Sequence, residues 1–317
     1  MTAGRSADLR VRTVFLGSGG FGRESLRRLH DHADVRLVSV VTGPARPAGR
    51  GQRLASSVID TLARELGVIS ILTPERLRAA ESITAVLSLK PELVVLADYG
   101  QLVPASLLDL RFGALNLHPS LLPRHRGATP IQATILAGDA ETGVSLIRMD
   151  AGLDTGPIVA QERLVVDGME STPPLEERLG FIAADLLDRS LDPWLRGELP
   201  ARLQPESGST LTRPLRREDG RLDPARPAEE LERQVRAYQP WPGSFLDTNV
   251  GRVVVWASSV GPRTDRDPGR FGPLGLATPV GELLVHEIQP AGGNRMSWDA
   301  FIRGRPTILY SAVVPGP

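Results

Sequence analysis

Hydrophobic runs alternate with amphipathic segments along the first two thirds of the chain. Near-continuous apolar runs are typical of parallel strands buried on both faces, and they occur at 11–16, 35–41, 68–72, 93–97 and 114–117. Helical spacing is found between them, at 23–32, 58–66, from Pro74 onward and at 129–137. Two more strands are predicted at 144–149 and 158–165, and a helix from Thr172, with Pro173 in its first turn. This alternation predicts an α/β fold with a doubly wound, mostly parallel sheet.

The pattern changes after residue 196. From Gly197 to Pro214 the periodicity is lost and Pro, Ser and Gly gather, which predicts a linker. A short helix at 227–237 is followed by short β-type runs between glycines and prolines, at 244–247, 252–257 and 282–287. These runs predict a small barrel or sandwich. We therefore expect a disordered tail, a first domain, a linker and a C-terminal domain, at 1–10, 11–196, 197–214 and 215–317.

Composition narrows the class of protein. A chain of 317 residues with 41% hydrophobic and 23% charged residues is long enough for two domains with ordinary cores. There is no cysteine, which excludes disulfides and thiolate metal sites. The formal net charge is zero, which argues against a surface generally coated by nucleic acid. The polar first ten residues are neither a signal peptide nor a membrane anchor, so we expect a cytoplasmic protein with no membrane partner.

A glycine-rich turn follows the first strand. Gly17, Gly19 and Gly22 form G-x-G-x-x-G, but dinucleotide binding also needs an acidic residue about twenty positions on, at the end of the second strand. That strand ends in Val41-Thr42-Gly43. A tight turn for helix packing is therefore the favoured interpretation. An anion at the helix N-terminus stays open, and an NAD-dependent oxidoreductase is kept as a remote alternative.

Three polar side chains carry candidate chemistry. Asn116 and His118 alternate on one strand and so share a face, while Asp154 lies in the turn after the next strand. All three fall where parallel sheets bind ligands, beyond the strand ends. An amide, an imidazole and a carboxylate there favour a catalytic cluster over a merely satisfied polar cluster. A metal site of His118, His125 and Asp154 is disfavoured, because two prolines disrupt the spacing between the histidines.

Arginines occupy the loop after the second strand. Arg46, Arg50 and Arg53 lie among glycines and prolines. They are either an ordinary solvated surface or a grip for phosphates.

These motifs resemble a known family. Asn116 to Pro123 (NLHPSLLP), followed by Asp150 to Gly156 (DAGLDTG), is similar to the signature of the folate-dependent formyltransferases. Wider segments resemble the members that act on methionyl-tRNA: RPAGRG, AGDAETG, PWPG and QPAG, at 46–51, 137–143, 240–243 and 289–292. The resemblance covers roughly residues 12 to 306. The family usually has Trp where His125 stands.

The resemblance implies a Rossmann-like catalytic domain and an OB-like barrel that helps hold tRNA. The implied reaction moves a formyl group from 10-formyltetrahydrofolate to the α-amine of methionine on initiator tRNA, without metal, and we expect a monomer. Asn116, His118 and Asp154 would be catalytic. Folate would be bound by Tyr99, Gly100, Gln101, Leu102, Ser120, Leu121, Leu122, Pro123, Asp150 and Gly152, and tRNA by Arg46, Arg50 and Arg53.

The chemistry fits these residues. Attack of the amine on the formyl carbon builds an oxyanion, which Asn116 and a protonated His118 would stabilise by hydrogen bonds. Asp154 would orient the imidazole, and one of this pair, or a water between them, must take the amine's proton. Two alternatives remain besides the oxidoreductase: the same transfer to another amine, such as an amino sugar nucleotide, and a non-catalytic RNA-binding module.

Overall fold

The computed structural model describes residues 9–48 and 53–314, which divide into two compact units. The first unit contains the described residues up to Pro130, with Glu141–Val165 and Glu176–Thr212. The second contains Ile131–Ala140, Val166–Leu175 and the described residues from Arg213. The domain boundaries given above stay a prediction. Within the described ranges, no helix has both the length and the apolar character needed to span a bilayer.

A seven-stranded sheet organises the first unit. The strands of this unit are β1 (Val11–Gly17), β2 (Val35–Val41), β3 (Arg46–Ala48), β4 (Arg53–Ala55), β5 (Ile71–Leu72), β6 (Leu93–Ala97), β7 (Ala114–His118), β8 (Arg126–Gly127), β9 (Glu141–Arg148), β10 (Ile158–Val165) and β11 (Leu211–Thr212). The large sheet has the order β10-β9-β7-β6-β1-β2-β5. Strands β7, β6, β1, β2 and β5 run parallel to one another. Strand β9 is antiparallel to β7, and β10 is antiparallel to β9. The expected doubly wound, mostly parallel sheet is confirmed.

Both faces of this sheet are covered. On β1, Val14 and Leu16 belong to one buried cluster, and Phe15 between them is buried as well. The same holds on β6, where consecutive residues Leu93, Val94 and Val95 have no exposed surface. The continuous apolar runs in the sequence therefore mark strands with packing on both sides.

Helices alternate with these strands. They are α1 (Arg23–Asp31), α2 (Val58–Glu65), α3 (Ala80–Ser88), α4 (Ala105–Leu108), α5 (Pro130–Ala137) and α6 (Thr172–Leu195). The prediction that a helix opens at Pro74 is wrong, because α3 begins at Ala80. Gln101 accepts a hydrogen bond from the Leu77 N–H (2.7 Å) and donates one to the Pro74 carbonyl (3.0 Å). These bonds use backbone groups that a helix would need.

The loop expected between β2 and α2 contains a hairpin. β3 and β4 pair antiparallel, with Arg46 opposite Ala55 and Ala48 opposite Arg53. The loop predicted at 42–57 therefore includes two short paired strands that the sequence did not reveal. The side chains of Arg46 and Arg53 are exposed, and Arg50 lies outside the described residues.

The second unit is built on an antiparallel sheet. Its elements are α7 (Ala228–Ala237), β12 (Ser244–Thr248), β13 (Gly251–Gly261), β14 (Gly275–Ala277), β15 (Glu282–Pro290), β16 (Met296–Ser297) and α8 (Trp298–Gly304). The strand order is β12-β13-β15-β14, and β16 also pairs with β15. The sheet is curled into a half-barrel, as an OB-like domain requires. Sequence reasoning did not find β14, β16 or α8, which are too short to show periodicity.

Aromatic and aliphatic side chains form the core that packs against this second sheet. Trp298 stacks on Phe271 with ring centroids 5.8 Å apart, and Leu283 is fully buried beside them in the same core cluster. Leu274, in contrast, keeps 61% of its surface exposed.

This contrast gives a matched test of the core. We predict that Leu283→Ala lowers the free energy of unfolding by about 2–5 kcal/mol, because it leaves a cavity. Leu274→Ala removes the same atoms from the surface and should change it by about 0.5 kcal/mol or less. Urea denaturation of both variants measures the difference. Equal effects would mean that Leu283 does not belong to a packed core.

Candidate active site

The centre of the site lies on β7. Asn116 and His118 occupy alternate positions of this strand and are 5% and 4% exposed. β7 lies between β6 and β9, with Asn116 opposite Leu96 on one side and Ile147 on the other. The backbone of β7 is therefore fixed along both edges, and its two polar side chains start from a rigid element.

Asp154 meets both side chains. Asn116 donates from Nδ2 to Asp154 Oδ1 (3.1 Å), and His118 Nδ1 lies 3.7 Å from Asp154 Oδ2. The backbone N–H of Gly127 donates to the same Oδ2 at 2.8 Å. The structure thus brings together the three residues that the sequence singled out, with the carboxylate held by two donors.

The other side of the imidazole contacts the backbone. His118 Nε2 donates to the carbonyl oxygen of His125 at 2.9 Å, and a carbonyl only accepts, so the proton of the neutral ring is on Nε2. Nδ1 then faces Asp154. When His118 is protonated, it has a donor towards each of these two acceptors.

The loop at 125–127 is held in an unusual conformation. His125 has φ of 60° and Gly127 has φ of 107°. A Cβ on Gly127 would lie 2.3 Å from the Thr212 carbonyl oxygen, so only glycine fits. The His125 N–H donates to Thr210 Oγ1 at 2.8 Å, and its ring Nδ1 lies 3.3 Å from the same hydroxyl. His125 thus meets His118 through its carbonyl rather than its ring.

The turn that carries Asp154 is held by hydrogen bonds between its own residues. Asp150 Oδ1 accepts hydrogen bonds from the Gly152 N–H (2.9 Å) and the Thr155 hydroxyl (2.8 Å). A Cβ on Gly152 would lie 2.0 Å from Thr155 Oγ1. Asp154 itself has φ of 53°, a left-handed conformation that aspartate adopts more readily than most residues.

The residues predicted to bind folate differ in how far they are buried. The Ser120 hydroxyl donates to the Arg124 carbonyl (2.7 Å) and is buried, as is Leu122, whereas Leu121 and Pro123 are half-buried. Burial raises the pKa of Tyr99 to about 12, and its hydroxyl is buried without a hydrogen-bond partner among the described residues. What these residues can offer a ligand is mainly backbone.

The segment 99–102 and the Asp150 turn both have exposed residues. Gly100 is exposed, and Leu102 keeps 62% of its surface exposed. On the Asp150 turn, Gly152 is exposed and Leu153 is 52% exposed. The Gln101 side chain is used within the fold, as described above. Exposed apolar side chains are therefore available on the segment 99–102 and on the Asp150 turn.

Sequence reasoning missed the residues that hold the proline-rich loop. The Ser145 hydroxyl donates to the Ser120 carbonyl (2.6 Å) and accepts from the Leu122 N–H (3.0 Å). Gln161 donates to Ser145 Oγ (2.8 Å) and to the Leu122 carbonyl (3.0 Å). A buried serine within the apolar run of β9 was the available signal.

Residues of the predicted linker were missed too. Gln204 donates to the carbonyls of Asp154 and Gly156, both at 2.8 Å. Thr210 and Thr212 bond the loop at 125–127, and β11 pairs with β8 in parallel. No local pattern marks these contacts, because the partners are more than eighty positions apart in the chain for the threonines.

The glycine-rich turn is occupied by a protein side chain. The Glu176 carboxylate accepts hydrogen bonds from the backbone N–H groups of Gly20 and Phe21, at the start of α1. A Cβ on Gly22 would lie 3.0 Å from the Ala97 carbonyl oxygen, so the helix packs closely on the sheet. The turn has the packing role that the sequence favoured, and the donors expected by the oxidoreductase alternative already bind a carboxylate.

Comparison with known proteins identifies the family. The formyl transferase model matches residues 11–191, and the formyl transferase C-terminal domain model matches residues 214–306. A methionyl-tRNA formyltransferase of Halorhodospira halophila is 40% identical over 302 residues, which cover 93% of this chain and 96% of that protein. Another, of Carboxydothermus hydrogenoformans, is 36% identical and covers 94% and 98%. The chain belongs to the methionyl-tRNA formyltransferase family. It is a formyl-transferring enzyme.

Solved structures agree on the fold. An N-formyltransferase from Helicobacter canadensis, in complex with folinic acid and dTDP-3-aminofucose, matches with a TM-score of 0.62 and 13% identity, over 90% of this chain and 100% of that one. HypX from Aquifex aeolicus in complex with tetrahydrofolic acid matches with a TM-score of 0.63 and 15% identity, over 92% and 47%. At these identities the likeness concerns the fold.

The acid at the glycine turn gives a pH-dependent prediction. Burial raises the pKa of Glu176, and the nearby Asp98 charge raises it further. The folded state then binds this proton more tightly than the unfolded state, so stability falls as pH rises from about 4.5 through the folded pKa. Glu176→Gln keeps an acceptor for Gly20 and Phe21 but cannot ionise.

We therefore predict that Glu176→Gln reduces this fall in stability, measured by urea denaturation at a series of pH values. Glu177→Gln, at the exposed neighbouring position, is the control and should leave the pH dependence as in the wild type. An unchanged slope for Glu176→Gln would contradict the shift.

Proposed function

We propose that this enzyme transfers the formyl group of 10-formyltetrahydrofolate to the α-amino group of methionine on initiator tRNA. It would do so in the cytoplasm and as a monomer. The observation that carries the proposal is the cluster of the buried Asn116 and His118 with the half-buried Asp154, within a chain whose two family models match residues 11–191 and 214–306. The methionyl-tRNA formyltransferases that it resembles match it nearly end to end.

The cluster supplies the groups that formyl transfer needs. When the amine nitrogen attacks the formyl carbon, the carbonyl oxygen becomes an oxyanion that seeks hydrogen-bond donors. The Asn116 amide has two N–H groups, and Asp154 Oδ1 takes one, which leaves one for the oxyanion. A protonated His118 adds positive charge beside it.

Proton transfer completes the reaction. When the oxyanion collapses, the C=O bond re-forms and the bond from the formyl carbon to the folate nitrogen breaks, so over the whole reaction one proton leaves the amine and one arrives at the folate nitrogen. Asp154 Oδ2 and His118 Nδ1 are 3.7 Å apart, farther than a hydrogen bond. An amine N–H or a water can therefore be placed between them; Asp154 accepts the proton when His118 is protonated, and a neutral His118 can accept it otherwise.

Two segments suit a folate. Tyr99 to Leu102 and Asp150 to Leu153 offer exposed backbone at Gly100 and Gly152, and exposed apolar side chains at Leu102 and Leu153. Backbone groups would hydrogen-bond the polar edge of the pterin ring, and the leucines would cover its faces. These roles extend the contacts that the family resemblance implies.

Activity assays test the function. We predict formyl-methionine when the enzyme is incubated with 10-formyltetrahydrofolate and charged initiator tRNA. His118→Ala and Asp154→Asn should each lower kcat by about 100-fold or more, because each removes a charge from the transition state, while circular dichroism stays unchanged. Formylation of an amino sugar nucleotide but not of methionyl-tRNA would overturn the proposed substrate. A near-normal rate in either variant would refute its role.

The arginine hairpin is proposed to contact tRNA. Arg46 and Arg53 lie on its two arms and are exposed, and Arg50 lies outside the described residues. We predict that alanine at any of these positions weakens tRNA binding and lowers the slope of log K against log salt by about 0.9 per lost phosphate contact. Filter binding at several salt concentrations measures both.

The matched control is Arg163→Ala. This arginine is also exposed but pairs with Glu141, so its loss should leave both affinity and slope unchanged. If the hairpin variants behave like Arg163→Ala, the hairpin is a solvated surface.

A further inference from the structure

The segment 202–212, here called the strap, was predicted as part of a linker and instead bonds to the catalytic loops. Its first residue, Arg202, exchanges two backbone hydrogen bonds with Ile158 (2.8 and 2.7 Å). Its last two residues, Leu211 and Thr212, pair with Arg126 and Gly127. The strap is therefore attached at one end to the start of β10, just after the Asp154 turn, and at the other end to the loop at 125–127.

Gln204 makes the central contact of the strap. Its Nε2 donates to the carbonyls of Asp154 and Gly156, both at 2.8 Å. Its Oε1 accepts from Nε of Arg126 at 3.0 Å, and the Arg126 guanidinium is buried. The carboxamide therefore uses both of its N–H donors and its acceptor, and it is half-buried beside the exposed Leu203.

The position of these bonds matters because the backbone of Asp154 has a left-handed conformation. With φ of 53°, Asp154 occupies a region that costs free energy for a residue with a side chain. A peptide in that conformation is retained only if its surroundings hold it. The Gln204 donors bind the carbonyl of Asp154 itself and the carbonyl of Gly156 two residues on, which fixes the peptide planes on the C-terminal side of Asp154.

The strap also holds the second left-handed residue of the site. His125 has φ of 60° and donates its N–H to Thr210 Oγ1 at 2.8 Å. The carbonyl of the same residue accepts from His118. Both sides of the catalytic pair, the carboxylate of Asp154 and the acceptor for His118, thus depend on backbone that the strap bonds.

We propose that Gln204 is a positioning residue for formyl transfer, whose carboxamide holds Asp154 in the conformation that presents its carboxylate to Asn116 and His118. Gln204 acts only through Asp154 and touches neither reacting group. The inference deepens the proposed function and rests on its assignment of Asp154 to the reaction. A merely structural role for Gln204, as a link between two loops, is the competing explanation.

Two substitutions separate these explanations. Gln204→Ala removes all three hydrogen bonds, whereas Gln204→Glu keeps the length of the side chain and the acceptor for Arg126 but, when ionised, has no donor for the two carbonyls. We expect kcat to fall by about 10- to 100-fold in both at neutral pH, the size of a misplacement of roughly 1 Å. KM for folate and for the amine should stay within about twofold.

A pH series adds a readout that a structural role does not produce. As pH falls from about 7.5 to about 4, across the ordinary pKa of a glutamate of about 4.3, the new carboxyl group of Gln204→Glu takes up a proton and regains an O–H donor. We expect its kcat, relative to wild type at each pH, to rise towards acid. The same ratio for Gln204→Ala should stay flat.

The control is Gln239→Ala. Gln239 also donates to two backbone carbonyls, those of Val235 and Trp256 (3.2 and 2.8 Å), but in the second unit. It should leave kcat unchanged whatever its effect on stability. An effect of Gln204→Ala equal to that of Gln239→Ala would overturn the proposal, as would wild-type kcat in Gln204→Glu at neutral pH.

A measurement without substrate separates this proposal from the proposed function. Ring ¹⁵N signals of His118 report on the charge beside Nδ1, and we expect them to change in Gln204→Ala but not in Gln239→Ala. If the wild type formylates a different amine, the proposed function fails while these comparisons still decide the role of Gln204. If Gln204→Ala does not fold, the pH series of Gln204→Glu decides it, and a flat ratio there overturns the proposal.

Discussion

The proposed catalytic cluster of Asn116, His118 and Asp154 depends on one short piece of backbone, the loop at 125–127. The carbonyl of His125 accepts from His118 Nε2, and the N–H of Gly127 donates to Asp154 Oδ2. These two groups fix the imidazole and the carboxylate against each other from the side opposite β7. Without them the carboxylate would keep only the hydrogen bond from Asn116, because the imidazole and the carboxylate are 3.7 Å apart and do not hydrogen-bond directly.

Local backbone strain accompanies this dependence at the site. Two residues with side chains, His125 and Asp154, have positive φ, and Gly127 lies too close to Thr212 for any Cβ. Left-handed conformations of this kind are retained only where surrounding contacts determine them. In this protein the strap supplies several of those contacts, so a segment with linker-like composition holds the backbone of the proposed active site.

The elements that could be predicted are those whose signal is local. β2, β6 and β10 have the bounds that their apolar runs predicted, and the shared face of Asn116 and His118 follows from the two-residue period of a strand. The start of α3 could not be predicted, because Gln101 captures the backbone at Pro74 from a distant position. The contacts of the strap could not be predicted for the same reason, because its composition is typical of a linker and its hydrogen-bond partners lie far away in the chain.

The glycine-rich turn shows why motif and function separate. G-x-G-x-x-G requires only a close approach of backbone at the start of a helix, and the N–H groups it leaves there bind any anion. In a dinucleotide-binding protein that anion is a pyrophosphate; in this protein it is the carboxylate of Glu176, from a helix far along the chain. The turn therefore packs α1 on the sheet and binds a carboxylate of the protein itself, and the proposed chemistry is assigned to the side chains of β7.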